Sequence, residues 1–377
     1  MQTWLNPSYS VSMNQTISES KGSLFFPAGY YLTSTITIIS SGIVFEQAKV
    51  NIVGAGIKST IFVGKSQYYE APPGSTPSAG LPINIIPILQ NENYYTTMRD
   101  FAIIGNYLED GVYGLVNGEL GGPYYQIGPG YEHIGIFSYD TADCNYEGLY
   151  IRSCSIGINA IGSLLSTISK CIIGGDQDFL NGEYNPKTAC DYGIYFDKSA
   201  GYDANQISIR ESRIIWCKKW GLVYQNGTML NINECDFTSN GSAIEGFSSI
   251  GNPDSGAIKL FGFTESESAT QIVNIRGTWF ETNSGFNILK NSDDSTIINL
   301  FNNFLSGVDG STLFLGTKID TNPTNSIEIK TINIIGCMSS ESLFSINVEE
   351  ANIIGSFFTN LNIINPPSQI NNTYFKL

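Results

Sequence analysis

Short apolar strands that each end at a tight corner recur along the whole of this 377-residue chain. In each of them an apolar residue lies three places before a small residue. A Gly or Asn often lies directly before the small residue, and another apolar residue lies two places after it. Such alternation about a left-handed corner predicts a unit of strand, corner and strand. Clear copies are "VNIVGAGI" (50–57), "NINECDFT" (231–238), "NIRGTWFE" (274–281), "INIIGCMS" (332–339) and "ANIIGSFF" (351–358).

The small residues of these units are spaced as expected for the coils of a solenoid. Spacings of 17, 19, 23 and 25 residues suit one coil, and longer ones suit a coil with an insertion. One coil cannot bury its apolar side alone, so the pattern predicts an all-β, right-handed parallel β-helix with an internal ladder of small residues. A sheet sandwich is disfavoured because hairpin turns such as Asn226-Gly227 are few. The ladder is predicted at Ala55, Asn106, Cys154, Cys171, Ser212, Cys235, Thr278, Asn303, Cys337 and Ser356.

The β-helix is predicted over residues 21–365. Segments rich in Gly, Pro and Tyr predict loop insertions at 65–97, 107–133 and 174–193, which gather on one face, where ligands are met. Residues 1–20 are expected to cap the first coil, and residues 366–377 to form an end segment.

Charge and rare residue types narrow the partners and the chemistry. With 34 acidic and 19 basic residues the net charge is −15, so nucleic acid and anionic membranes are unsuitable partners. No apolar run is long enough to span a bilayer, and the first residues do not resemble a signal peptide. The seven cysteines lack metal-ligand spacing and only one histidine is present, which predicts buried, reduced thiols and neither metal nor cofactor.

Three segments carry a resemblance to a known group of proteins. "KGSLFFPAGYYLTSTITI" (21–38) followed by "VNIVGAGIKSTIF" (50–62) resembles the opening of the pectate-lyase-like β-helices in bacteriophage tailspikes and tail-fibre depolymerases. "NIRGTWFETNSGFNI" (274–288) is similar to a coil from the middle of those proteins. As a pattern, the resemblance covers roughly residues 20–365.

The resemblance implies a side-by-side homotrimer in a virion tail, outside the bacterial cell. Such a trimer binds, and usually cleaves, a capsular polysaccharide or lipopolysaccharide glycan, next to other virion tail proteins. The chain departs from the group in one respect, because no separate virion-anchoring or C-terminal trimerisation domain is apparent. We therefore expect an excised β-helix region or a chain that is anchored by a partner.

Four acidic residues are the candidates for glycosidic hydrolysis, which commonly uses two carboxylates. Glu211 and Glu234 occupy the corner position, Asp236 follows the small residue directly, and Glu281 lies three places after one. If the 23-residue spacing is one coil, Glu211 and Glu234 stack at about 5 Å, the spacing of neighbouring strands. The alternative is that these residues are solvated corner side chains or are paired with nearby arginines.

Aromatic and basic residues of the same region are candidates for contacts with sugar, because sugar rings lie on flat aromatic side chains. Trp279 directly follows a small residue and is expected to face outward. The pair Lys218 and Lys219 could receive an anionic group of the glycan, as could the predicted contact residue Arg213. The predicted substrate contacts are Trp216, Trp220, Trp279, Tyr224, Arg213 and Tyr202.

Two other functions stay open at this stage. One is a metal-independent polysaccharide lyase, in which Lys or Tyr removes the proton next to a uronate, and the other is a non-catalytic adhesin or structural solenoid. An esterase would need His133 and a nucleophile elbow that the chain lacks. The carboxylates of 195–203 and 291–296 form no convincing oxygen cage for a calcium-dependent lyase.

Overall fold

The computed structural model describes residues 22–33, 36–39, 49–64, 85–105, 115–116, 119–120, 132–175, 189–200, 202–241, 255–261, 270–283, 286–290, 296–307, 312–315, 329–364 and 374–375. This described part of the chain contains β-strands and no helix. We number its strands β1 to β33 in chain order.

The strands stack in parallel on three faces, each strand pairing with the strand three further on, except where the hairpin of β9 and β10 intervenes. Face A holds β1 (Gly22–Phe26), β4 (Val50–Gly54), β7 (Thr97–Arg99), β12 (Asn145–Glu147), β15 (Thr167–Ser169), β18 (Ile207–Arg210), β21 (Met229–Asn233), β24 (Gln271–Arg276), β27 (Thr296–Phe301) and β30 (Ile329–Ile335). Face B holds β2 (Gly29–Thr33), β5 (Thr60–Gly64), β8 (Ala102–Ile104), β13 (Tyr150–Arg152), β16 (Ile172–Gly174), β19 (Arg213–Ile215), β22 (Asp236–Thr238), β25 (Trp279–Asn283) and β28 (Phe304–Gly307). Face C holds β3 (Ile36–Ile39), β6 (Ile85–Glu92), β11 (Glu132–Ala142), β14 (Ile156–Leu164), β17 (Tyr192–Asp197), β20 (Trp220–Tyr224), β23 (Gly256–Leu260), β26 (Phe286–Lys290) and β29 (Thr312–Leu315).

The last strands continue the same stack. The long strand β31 (Met338–Ile354) runs across all three faces, pairing in turn with β28, β29 and β30. It is followed by β32 (Phe357–Ile364) and β33 (Tyr374–Phe375), and β9 (Leu115–Val116) and β10 (Glu119–Leu120) form a separate antiparallel hairpin. One strand from each face makes one coil, so the predicted all-β fold with stacked parallel coils is confirmed.

The core lies inside the three faces and is filled by one inward side chain after another. On face A the same inward position is apolar and fully buried in successive coils, so each coil completes the core of its neighbours. Its occupants are Ile52, Met98, Tyr146, Ile168, Ile209, Ile232, Ile275, Leu300, Ile334 and Ile353.

Faces A and B meet at a corner made by one residue in the left-handed region. The φ angles there lie between 49° and 64°, which explains the recurrence of Gly and Asn. The predicted left-handed corners are thereby confirmed. The corner residues are Asp100, Gly148, Lys170, Glu211, Glu234, Gly277, Asn302, Gly336 and Gly355.

Behind these corners lies the predicted ladder of small buried residues. The N–H of Thr278 donates to Asn303 Oδ1 at 2.9 Å, and the N–H of Cys337 donates to Ser356 Oγ at 3.1 Å. The ladder thus supplies acceptors to backbone donors that the turn leaves without a strand partner.

Part of the predicted ladder was wrong. Ala55 is exposed at the start of a turn, and Thr60 takes the ladder position in its coil. Cys154 follows β13 and lies at the corner between faces B and C, so its 17-residue spacing from Cys171 is not one coil. Asn106 lies outside the described residues. Both corners use a left-handed residue before a small buried one, such as Ser153 with a φ of 55°, so the sequence pattern does not separate them.

The predicted insertions end earlier than expected. Strand β6 lies inside the stretch 65–97, β11 begins inside 107–133, and β17 begins inside 174–193. All three strands belong to face C, and each follows a long connection whose length hides the start of the strand from the repeating pattern. Strand β33 likewise lies within 366–377, whereas the cap over 1–20 is outside the described residues.

All seven cysteines are free and buried, as the sequence predicted. Burial raises the pKa of the Cys171 and Cys235 thiols to about 12 in each case, which leaves them protonated at neutral pH. In the described ranges no helix has the length and apolar character to cross a membrane.

Candidate active site

The predicted pair Glu211 and Glu234 occupies the same corner in two successive coils. Strand β18 pairs with β21 so that Arg210 faces Asn233, which stacks the two following glutamates directly. The N–H of Glu211 donates to the Asn233 carbonyl at 3.0 Å, so the 23-residue spacing is one coil, as predicted. Both side chains are exposed, with carboxyl groups directed into solvent from a corner whose Cα atoms are about 4.8 Å apart.

Asp236 lies one coil along from Arg213 on the outer side of face B. The two residues are paired in register, and Arg213 Nε donates to Asp236 Oδ2 at 3.1 Å. The hydroxyl of Thr238 donates to Asp236 Oδ1. Two donors therefore orient this carboxylate, whose side chain retains 27% of its exposure.

Trp279 is paired in register with Asp236 in the next coil and faces outward, as predicted. Its side chain is 45% exposed, and its ring stacks on Phe304 with centroids 4.0 Å apart. The indole Nε1 donates to Glu281 Oε2 at 3.0 Å, which orients the second carboxylate of face B.

Asp236 and Glu281 are diagonal neighbours on adjacent strands. Glu281 is paired with Thr238, so the two acids are separated by one strand spacing and two residues along the strand. Spacings of about 4.8 Å and about 3.3 Å per residue give a Cα separation of about 8 Å. From this Cα separation, the two carboxyl groups can lie about 5–5.5 Å apart, as in retaining glycosidases, or about 6.5–9.5 Å apart, as in inverting ones.

The outward position occupied by Arg213 and Asp236 in two successive coils is apolar in later coils. Strand pairing continues it through Trp279, Phe304, Met338 and Phe357, and we call these six residues the face B column. Met338 is 50% exposed and Phe357 is 36% exposed. The column is charged at one end and apolar at the other.

Tyr224 does not belong to this surface, which corrects the prediction that it contacts sugar. It points inward, is fully buried, and donates its hydroxyl to the Ala204 carbonyl at 2.7 Å. Burial raises its pKa, and its ring packs against Phe196. Because the fold uses both ends of this side chain inside the core, it is unavailable to a ligand outside.

The other predicted aromatic contacts lie away from the acidic pair. Trp216 is half-buried at the corner between faces B and C, with a φ of 55°. Trp220 lies on the outer side of face C and is 1% exposed. Tyr202 is 38% exposed and accepts a hydrogen bond from the Tyr94 hydroxyl at 3.3 Å, beyond the far end of face C.

Three residues around Trp220 were missed by the sequence analysis. Tyr192 and Phe286 share its outward row, and the Lys259 ammonium lies 5.4 Å from the centre of its ring. The signal in the sequence is weak, because neither aromatic residue nor the lysine follows the corner pattern. Among the described residues, no group of three or more His, Cys, Asp or Glu side chains is arranged to hold a metal ion.

Comparison with known proteins identifies the fold. No protein-family model and no curated protein sequence matches the chain. Among solved structures, the A-module of mannuronan C-5 epimerase AlgE6 from Azotobacter vinelandii has a TM-score of 0.54 at 11% identity, covering 94% of this chain and 91% of that one. The gp42 tailspike of Acinetobacter phage vb_AbaP_AS12 has a TM-score of 0.49 at 12% identity, covering 97% of this chain and 54% of that one. ORF18 of Geobacillus virus E2 has a TM-score of 0.43 at 11% identity, covering 94% and 53%.

At 11% identity, the similarity to the epimerase module is a similarity of fold. The epimerase module aligns over nearly its whole length, whereas this chain spans about half of each viral chain.

Proposed function

We propose that this chain is a tailspike-type polysaccharide depolymerase, an endo-acting glycosidase that hydrolyses a bacterial capsular or lipopolysaccharide glycan on face B. The observation that carries the proposal is the pair Asp236 and Glu281. The two carboxylates lie diagonally on adjacent strands, each oriented by its own donor, beside the exposed indole of Trp279. Two carboxylates and a flat apolar surface are what cleavage of a sugar chain requires.

The two acids take different parts in the proposed reaction. Asp236, bound by Arg213 and Thr238, activates water or attacks the anomeric carbon. Glu281 donates the proton to the leaving oxygen, and the ring of Trp279 supports the sugar next to it. Glu234 and Glu211 flank this pair at the corner and contact neighbouring sugars through exposed carboxylates.

The apolar end of the face B column supports the second part of the proposal, a homotrimer of side-by-side coils in a virion tail. Met338, Ile354 and Phe357 are exposed on adjoining positions of the last described coils. Exposed apolar side chains of this kind mark a contact with another protein surface, for which we propose a second copy of this chain. Sedimentation of the purified chain and of Met338→Asp tests this, with dissociation of the trimer expected for the variant.

The catalytic proposal is tested by digestion of purified capsule and lipopolysaccharide from a panel of bacteria, with the products read by mass spectrometry and ultraviolet absorbance. Products that have gained one water support hydrolysis. Products with an unsaturated, absorbing end mean a lyase, and binding without shortening of the glycan means an adhesin.

Variants connect this result to face B. Asp236→Asn and Glu281→Gln are expected to abolish cleavage while binding is retained. Matched controls are Asp100→Asn, an acid 3.9 Å from Arg99, and Glu147→Gln, an acid 3.4 Å from Lys170. Loss of cleavage in the controls as well would contradict the assignment to face B.

A further inference from the structure

The outer side of face C carries a row of aromatic side chains in the coils of β17 to β26. Tyr192, Trp220 and Phe286 share one outward row, and the rings of Trp220 and Phe286 are inclined by 5° with centroids 6.4 Å apart. Tyr192 and Phe286 are half-buried and keep part of their surface in solvent. Such a surface suits the C–H side of a sugar ring.

Three lysines surround this aromatic surface. Lys218 Nζ and Lys219 Nζ each lie 3.6 Å from a carboxylate oxygen of Asp191, so one negative charge serves two positive ones. Lys219 also lies 5.3 Å from the ring centre of Tyr192, and Lys259 lies 5.4 Å from that of Trp220. We call Asp191, Tyr192, Lys218, Lys219, Trp220, Lys259 and Phe286 the face C cluster.

The cluster is positively charged, whereas the chain as a whole is negatively charged. The net charge of the protein is −15, yet these seven residues carry three positive charges and one negative charge. Asp197, further along β17, already accepts hydrogen bonds from the side-chain amides of Gln225 and Asn226 at 3.1 and 2.8 Å. A local positive field in an acidic protein selects anions and concentrates them.

The indole N–H of Trp220 is a buried polar group of this cluster. Trp220 is 1% exposed, and its Nε1 meets no hydrogen-bond acceptor in the described part of the chain. A buried donor without an acceptor is uncommon and marks a place where a further group is expected. The acceptor atoms of an anionic ligand are of the required kind.

We propose that the face C cluster binds an anionic glycan, with one sugar ring on Tyr192, another on Phe286, and a carboxylate or sulfate group held by Lys219. The identification of the ligand as a saccharide rests on the proposed function, whereas its negative charge is inferred from the lysines. The cluster lies on the face next to the acidic pair, and it holds the chain of the glycan rather than cleaving it.

The test measures the binding of defined probes by titration calorimetry at low salt. The probes are a hexamer of galacturonate, maltohexaose as the neutral hexamer, and inorganic sulfate. The wild-type chain is expected to bind the galacturonate hexamer, to bind maltohexaose more weakly, and to lose the difference as ionic strength rises.

Lys219→Gln is compared with the matched control Lys170→Gln. The two lysine side chains are 50% and 59% exposed, and each pairs with one carboxylate, at 3.6 and 3.4 Å. Lys219→Gln should weaken binding of the galacturonate hexamer about tenfold or more, the effect of one charge-assisted hydrogen bond, whereas Lys170→Gln should leave it unchanged. Unfolding curves of both variants establish that they are folded.

Three results would overturn the proposal. They are the absence of binding by the galacturonate hexamer, equal binding of the charged and neutral hexamers, and equal weakening by the two variants. Sulfate binding without binding of the galacturonate hexamer is a case of the first result and would show an adventitious ion only. Failure of the proposed glycosidase is separate, because probe binding is measured without cleavage and is compared only between the wild-type chain, Lys219→Gln and Lys170→Gln.

Discussion

The face B column and the face C cluster share the coils of β18 to β26, but their tryptophan side chains differ in exposure. Trp279 is 45% exposed and stacks on its neighbour Phe304, whereas Trp220 is 1% exposed and packs within a layer of aromatic and apolar residues. A ligand can contact the exposed side chains of the column directly. In the cluster, Tyr192 and Phe286 are half-buried, and the buried Trp220 between them also stabilises the sheet. Substitutions on face B should therefore change activity, whereas substitution of the buried Trp220 on face C should mainly change stability.

The largest difference is expected between the two tryptophans. Trp220→Ala removes a fully buried ring and should lower the free energy of unfolding by about 3–5 kcal/mol. Trp279→Ala loses mainly its stacking on Phe304 and should cost about 1 kcal/mol. Urea unfolding measures both values, and similar losses for the two variants would contradict the contrast in burial.

The second difference concerns kinetics and rests on the proposed glycosidase. Glu281→Gln removes the proton donor, which should lower kcat at least about 100-fold with little change in KM. Lys219→Gln should raise KM for an anionic glycan and leave kcat nearly unchanged. Steady-state rates on the cleaved glycan distinguish the two effects. A fall in kcat for Lys219→Gln would show that the face C cluster and the face B column form one catalytic site.

A smaller effect is expected at the acidic corner. Glu234 has a φ of 54° and stacks on Glu211, so it carries both left-handed strain and repulsion between like charges. Glu234→Gly should raise the free energy of unfolding by about 1 kcal/mol. Asn302→Gly, at the same corner with a φ of 51°, is the control and should gain less. A loss of stability in Glu234→Gly would show that this carboxylate makes contacts that outweigh the strain.

The smallest effect is expected from Tyr195 on face C, in alkaline solution. Burial, followed by the nearby charge of Asp197, raises the pKa of Tyr195 to about 12. The folded chain therefore holds this proton more tightly than the unfolded chain, whose tyrosines titrate near 10. Its stabilising contribution is complete below about pH 10 and is lost as the pH rises towards about 12.

Tyr195→Phe should make the free energy of unfolding fall less steeply over this alkaline range, as measured by denaturant titration at a series of pH values. Tyr139→Phe, an exposed tyrosine on the same face, is the control. Equal slopes for Tyr195→Phe and the wild-type chain would contradict the cause given for the raised pKa.

Much of the architecture follows from a local rule that can be recognised in the sequence. At the corner of faces A and B a single left-handed residue turns the chain, so the alternation of inward and outward side chains passes through the corner without interruption. For this reason the outward position of Trp279 and the stacking of Glu211 on Glu234 were predicted correctly from spacing alone. The buried thiols were predicted for the same reason, because Cys171, Cys235 and Cys337 occupy the small-residue position of that corner.

The connections between faces B and C obey no such rule. They vary from the two residues 284–285 to the long stretch 105–131, so the phase of the alternation is set anew in each coil. Phase decides which side chains point outward, and this is why Tyr224 was wrongly predicted to contact sugar while Tyr192 and Phe286 were missed. The repeating sequence determined the coils, their first corner and the acids that share it, because each depends on neighbours a few residues apart. Only the tertiary structure decided which residues meet on face C, because that depends on how connections of unequal length return to the same sheet.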